Sequence, residues 1–141
     1  MRIYIDTEFN EFKGELISMA LVAEDGEEFY EVLHCANPKG WVAEHVMPFL
    51  EKKAVSLGVF QTKLQQFLFQ YHRIHLIADW PEDIKHFCQS LITAPGECLN
   101  YPPITMEMRR DLSSKGSKVP HNALHDARAI ADDDLSKVYE R

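Results

Sequence analysis

Asp6 and Glu8, separated by Thr7, follow the apolar-alternating run Arg2-Ile3-Tyr4-Ile5 near the start of the chain. That run predicts a strand. Successive strand side chains alternate faces, so Asp6 and Glu8 share one face about 7 Å apart along the chain. Two carboxylates so placed repel one another unless cations sit between them, which makes them candidate metal ligands. Far along the chain, His121 and Asp126 offer a histidine and a third carboxylate. Between them, Asp79-Trp80-Pro81-Glu82-Asp83 adds a further acidic cluster directly after the apolar run Ile74-His75-Leu76-Ile77-Ala78.

The elements that must carry these residues follow from periodicity. After the first strand, Asn10 to Gly14 reads as a turn, and Leu16 to Val22 is apolar enough for a central strand. Glu24-Asp25-Gly26-Glu27 is a hairpin signal, so Phe29 to Leu33 pairs antiparallel with it. Trp41, His45, Val46, Phe49 and Leu50 suggest a short helix interrupted at Pro48. Leu64, Phe67, Leu68 and Tyr71 mark one face of an amphipathic helix over Gln61 to Tyr71. Ile74 to Ala78 is a fourth strand. Pro81 and the acids beside it suit the first turn of a helix that continues through Ile84, Phe87, Cys88 and Leu91. Thr93 to Pro103 reads as loop, Ile104 to Met108 as a fifth strand, and Ser113 to Pro120 as a polar, flexible loop. A last helix runs from about Asn122 to Tyr139, with Leu124, Ala127, Ala131, Leu135 and Val138 as its apolar stripe. The pattern predicts an α/β fold: a mixed five-stranded sheet, three antiparallel N-terminal strands first, flanked by helices. In open α/β sheets, sites form at the carboxyl ends of strands. If the fourth strand lies parallel beside the first, their acidic clusters meet at one edge, and the last helix can deliver Asp126 and His121 there.

Composition narrows the function. The 141 residues suit one domain spanning 1–141, and 45% hydrophobic with 26% charged content is ordinary for a soluble protein. No apolar run reaches bilayer-spanning length and no signal peptide opens the chain, so a cytoplasmic protein without membrane contact is expected. Cys35, Cys88 and Cys98 form no C-x-x-C pair and are expected to be buried, reduced thiols. The formal net charge of −7 argues against holding nucleic acid by bulk electrostatics. It leaves room for an enzyme that meets phosphate through divalent metals.

Taken together, YIDTEF, IADWPEDI and HNALHDARA, in that order, resemble the motifs of the DEDDh 3'–5' exonucleases. That group includes ribonuclease T, oligoribonuclease and the proofreading exonucleases. The resemblance spans residue 3 to about 131 and is closest to the short, stand-alone exoribonuclease-like branch of bacteria and prophages. It implies a ribonuclease H-like fold and two divalent cations, Mg2+ or Mn2+, which suit hard carboxylate oxygens. One would activate water and the other stabilise the leaving 3'-oxygen.

By the same resemblance, Asp6 bridges both metals, Glu8 holds the metal near the attacking water, and Asp126 is the last carboxylate. The family form places an Asn four residues ahead of the second-motif acid. Asp83 is then the metal-site acid and Asp79 takes the Asn position, with Asp79 the alternative ligand. His121 would be the general base, because a histidine is largely neutral near pH 7–8. Thr7, Phe9 and Trp80 flank the motifs as substrate-binding candidates, Phe9 and Phe12 by stacking on bases without reading sequence. Arg109 and Arg110, with Lys115 and Lys118, could hold substrate phosphates. His125 is expected to face outward and Asp132-Asp133-Asp134 to form a solvated face. The expected substrate is a single-stranded RNA 3' end. A DNA-directed exonuclease of prophage origin and a non-catalytic module that grips nucleic-acid ends are the alternatives, and a homodimer is compatible with each.

Overall fold

The computed structural model describes residues 1–139, with side chains through Lys137; Val138, named for the last helix's stripe, lies outside the described side chains. The expected strands form as β1 (Arg2–Phe9), β2 (Leu16–Ala23) and β3 (Glu28–Leu33). A short helix α1 (Gly40–His45) is followed by a single 3-10 turn at Met47–Phe49, where Pro48 interrupts the helix. Then come β4 (Ala54–Val55), α2 (Leu57–Leu68), β5 (Ile74–Ala78) and α3 (Pro81–Leu91). The remainder is β6 (Ile92–Ala94), β7 (Glu97–Cys98), β8 (Ile104–Met108) and α4 (Ala123–Tyr139).

The sheet has six strands in the order β4-β3-β2-β1-β5-β8, not five. The added strand is the two-residue β4, which pairs parallel with β3 through Val32–Ala54 and Leu33–Val55. Two residues carry no readable alternation, so periodicity could not reveal it. A second, two-stranded sheet of β6 and β7 occupies the segment expected to be loop, turning at Gly96 with φ +73°. β1 pairs antiparallel with β2 and parallel with β5, as the site required, and β8 extends the parallel half.

Both faces of β1 are covered. Ile3 and Ile5 join Met19, Leu21 and the α2 and α3 residues Phe60, Leu64 and Phe87 in one fully buried layer. A buried side chain of this size contributes roughly 1.5–3 kcal/mol. On the other face Tyr4, Ala20 and Ile77 meet α4 through Ala123, Ala127, Ile130 and Ala131. This buried α4 face is rotated from the expected stripe: Leu124 and Leu135 are only half-buried, while Ile130 and Asp134 are buried. Asn122 caps α4, its Oδ1 accepting from the Leu124 and His125 amides at 3.0 and 3.2 Å. Its amide nitrogen donates to Phe49 O at 2.7 Å and so ties the helix start to the 3-10 turn.

Two further expectations are corrected. Cys35 is buried, but Cys88 and Cys98 are exposed. Asp134 is no part of a solvated face. It accepts a 2.6 Å hydrogen bond from Tyr4 Oη and faces the Arg109 and Arg2 guanidinium groups at 3.3 and 3.5 Å. Burial and this carboxylate push the Tyr4 phenol up. Hydropathy reads Asp134 as polar surface, whereas the fold spends it pinning α4 to β1. Asp134→Ala leaves a buried phenol unpaired and should cost about 2–4 kcal/mol in urea unfolding. A loss under about 0.5 kcal/mol would show the network to be peripheral.

Candidate active site

β1 brings Asp6 and Glu8 to the face that α4 covers, and its ladder with β2 shifts register between Glu8 and Phe9. Such an irregularity bends a strand end and re-aims its side chains. β5 ends one residue before Asp79, and Pro81 starts α3 so that Asp83 lies in its first turn. α4 presents Asp126 one turn from its start.

These elements bring five carboxylates together. Oxygens of Asp6, Glu8 and Asp126 lie within 4.8 Å of one another, and so do oxygens of Asp6, Asp79 and Asp83. Asp6 belongs to both groups. Asp79 and Asp83 of the second acidic motif therefore both lie in the cluster, although they are held differently. Asp83 is buried, and its Oδ1 accepts from the Thr7 hydroxyl at 2.6 Å and the Thr7 amide at 3.1 Å. Asp79 is half-buried at the rim.

The electrostatics are severe. Two carboxylates 4.8 Å apart repel by about 3.5 kcal/mol at an effective dielectric of 20. Burial pushes Asp6 well above the usual carboxylate range, with Asp83, Glu8, Asp126 and Asp79 adding to it. Burial, then Asp126 and Asp83, raises Glu8 to about 9. Asp83 rises to about 7, burial outweighing the Thr7 hydroxyl that holds it down. Burial raises Asp79 and Asp126 too; Arg110 opposes this at Asp79, and Ser117 and His121 oppose it at Asp126.

The donor set fits divalent cations. Asp6 Oδ2 and Asp83 Oδ2 are buried with no hydrogen-bond partner, an arrangement that costs free energy unless a cation occupies the space between them. The donors are hard oxygens, which suit magnesium or manganese.

A stability prediction follows from these shifts. The folded protein binds more protons than the unfolded chain wherever a carboxyl's folded pKa is raised, so metal-free stability falls as pH rises. The window runs from about 4, where unfolded carboxyls ionise, through the values near 7 and 9 of Asp83 and Glu8. Tm in a chelator should fall between pH 5 and pH 8. Millimolar Mn2+ at pH 8 should restore roughly 5–10 °C. A flat Tm profile without a metal effect would contradict a cation site here.

The remaining candidates divide into near and far. His121 lies at the rim with φ +69°, its ring edge-on to Trp41 at 5.0 Å and to His45 at 6.4 Å. Trp80 is exposed, and the Arg110 guanidinium lies over its ring at 5.3 Å. Phe9 packs on the His86 ring at 5.0 Å rather than beside the carboxylates. Phe12 is 79% exposed. Arg109 is turned away from the acids and engaged by Asp111 at 2.7 Å and by Asp134. Nearby, His125 is half-buried, with Nε2 3.2 Å from Glu51.

Sequence reasoning missed the Trp41–His45 pair, stacked at 4.5 Å beside His121. Periodicity reads both residues only as one face of a short helix. A tryptophan four residues ahead of a histidine was the available signal, since such a pair shares a helix face.

No protein-family model matches the chain. Two curated proteins align with it over 147 positions at 32% identity, covering 91% of this chain and 88% of each relative. Both are named 3'-5' exoribonuclease and come from Mycobacterium tuberculosis, one from strain CDC 1551 / Oshkosh and one from strain H37Rv. Among the described residues, no helix is long and apolar enough to cross a membrane.

Proposed function

We propose, from the premise that the chain belongs to the family of these mycobacterial 3'-5' exoribonucleases, that it hydrolyses single-stranded RNA from the 3' end. The observation that carries this reading is the pair of carboxylate groups sharing Asp6. We assign the domain to the DEDDh exonucleases of ribonuclease H-like fold, with the order β3-β2-β1-β5-β8 as its support.

Asp6, Glu8 and Asp126 would hold one divalent cation, and Asp6, Asp83 and Asp79 the other. Bound there, the cations supply charge neutralisation of the scissile phosphate and a more acidic water. The protein's own groups do the rest. Thr7 fixes Asp83 through two hydrogen bonds, so the acid stays in position when ionised. His121 takes the proton of the attacking water, and the edge contact with Trp41 holds its ring. Trp41 is 49% exposed and offers a stacking face for a base at the 3' end. Arg110, on the Trp80 ring beside Asp79, faces the strand as a phosphate contact.

The test is direct. A 5'-labelled RNA oligomer with Mn2+ or Mg2+ should shorten stepwise from its 3' end and stay intact in chelator. An all-DNA oligomer of the same sequence should shorten more slowly. Internal cleavage, or shortening from the 5' end, would overturn the reading. Faster trimming of DNA would move the assignment to a deoxyribonuclease.

A further inference from the structure

Behind the carboxylates, between the turn after β1, the start of α2 and the length of α3, lies a cleft of about 440 Å³. Leu16, Leu33 and Leu57 form its apolar wall, Lys13 and Lys85 stand in its lining, and His86 completes it. His86 is 3% exposed, and its Nε2 has no hydrogen-bond partner. A buried polar atom left unpaired costs free energy unless a ligand or water meets it. Neither lysine has a carboxylate partner among the described residues; the Lys13 ammonium lies over the Phe12 ring at 5.2 Å. Glu15 also lines the cleft, but its Oε1 is taken by Asn10 at 3.1 Å and Cys35 Sγ at 3.4 Å. Gln61 braces α2 to the end of α3 through Ser90 O and Ile92 O, so the walls are tied together.

The cleft is linked to the acidic site through two contacts. His86 follows Asp83 on α3 by one helical turn, about 5 Å along the axis. Phe9, next to Glu8, packs on the His86 ring. A leucine wall, an unpaired imidazole nitrogen and two lysines without carboxylate partners among the described residues match a flat heterocycle carrying an anionic group.

We propose that this cleft is a nucleotide subsite, taking a base against Leu16, Leu33 and Leu57 with His86 hydrogen-bonded to its edge, and a phosphate at Lys13 and Lys85. The proposal deepens the exoribonuclease reading and rests on it for the source of the nucleotide, either a residue of the RNA strand or a free mononucleotide.

Binding is tested without turnover. AMP is titrated into the full chain in chelator, where no cation can hold a phosphate at the acids, and the His86 and Leu57 resonances are followed by NMR. Saturable shifts at both residues are expected. They should survive in Asp6→Asn and vanish in the double variant Lys13→Asn, Lys85→Gln. Asparagine suits position 13 because φ there is +62°. Adenosine, lacking the phosphate, should bind about tenfold more weakly. Absence of saturable shifts up to roughly 10 mM AMP overturns the subsite, whether or not the protein degrades RNA. If AMP binds but RNA is not degraded, the subsite stands and the exonuclease reading falls. KM for an RNA octamer separates the two sources: a rise of about tenfold in the double variant with kcat kept assigns the cleft to the strand. An unchanged KM with AMP binding lost assigns it to the free mononucleotide.

Discussion

Replacing Asp6 by asparagine should lower RNA degradation on the order of 10³-fold or more while making the metal-free protein more heat-stable. Both effects have one origin. Asp6 is the single carboxylate common to the two groups of acids, so its loss would weaken both proposed cation positions at once. It is also the acid most crowded by others, with Asp83, Glu8, Asp126 and Asp79 all raising its pKa beyond what burial does. Asparagine keeps the shape and removes the charge. Above pH 7 without metal, relief of the repulsion should add about 1–3 kcal/mol, read as a rise of roughly 4–8 °C in Tm. Mn2+ should then stabilise the variant less than it does the wild type. Retention of a tenth of the activity would remove Asp6 from the reaction. A fall in metal-free Tm would show that its role is structural.

For His121→Asn, the expected change is a fall in kcat of about 10²–10⁴, with KM and the Mn2+-induced Tm shift unchanged. The choice of asparagine follows from the backbone. With φ at +69°, position 121 sits where most L-residues are strained by roughly 1–2 kcal/mol, and asparagine visits that region routinely. Alanine would mix loss of the imidazole with displacement of the loop. If metal binding fell with kcat, His121 would be holding the acids rather than accepting a proton. If kcat were unchanged, the base must be sought elsewhere.

Much of this site was legible because its strongest constraints are local. The alternation of Arg2 to Ile5 placed Asp6 and Glu8 on one face, and the structure puts them there. Pro81 marked the first turn of α3 and hence where Asp83 begins. Long-range relations were harder. Whether one acid or two of the second motif enter the cluster depends on how the β5–α3 turn meets β1, which spacing along the chain does not encode. Asp134 reads as one of three surface acids because the hydroxyl that satisfies it belongs to Tyr4, on the first strand. The β6–β7 hairpin and β4 are too short for periodicity. Arg109 reads as a phosphate contact in the sequence, whereas in the fold Asp111 and Asp134 engage its guanidinium.

The sharing of Asp6 also has a calorimetric consequence. Acids that keep protons because of burial and crowding must surrender them when a cation arrives. Metal binding near neutral pH is then an exchange, with each ion displacing hydrogen ions into the solvent. The heat of titration should change with the ionisation enthalpy of the buffer, and the slope counts the protons released. Because Asp6 belongs to both groups of acids, ionising it for a first cation would leave less to displace for a second at the other proposed position. The second ion should therefore release fewer protons than the first, a sequence that two independent sites would not show.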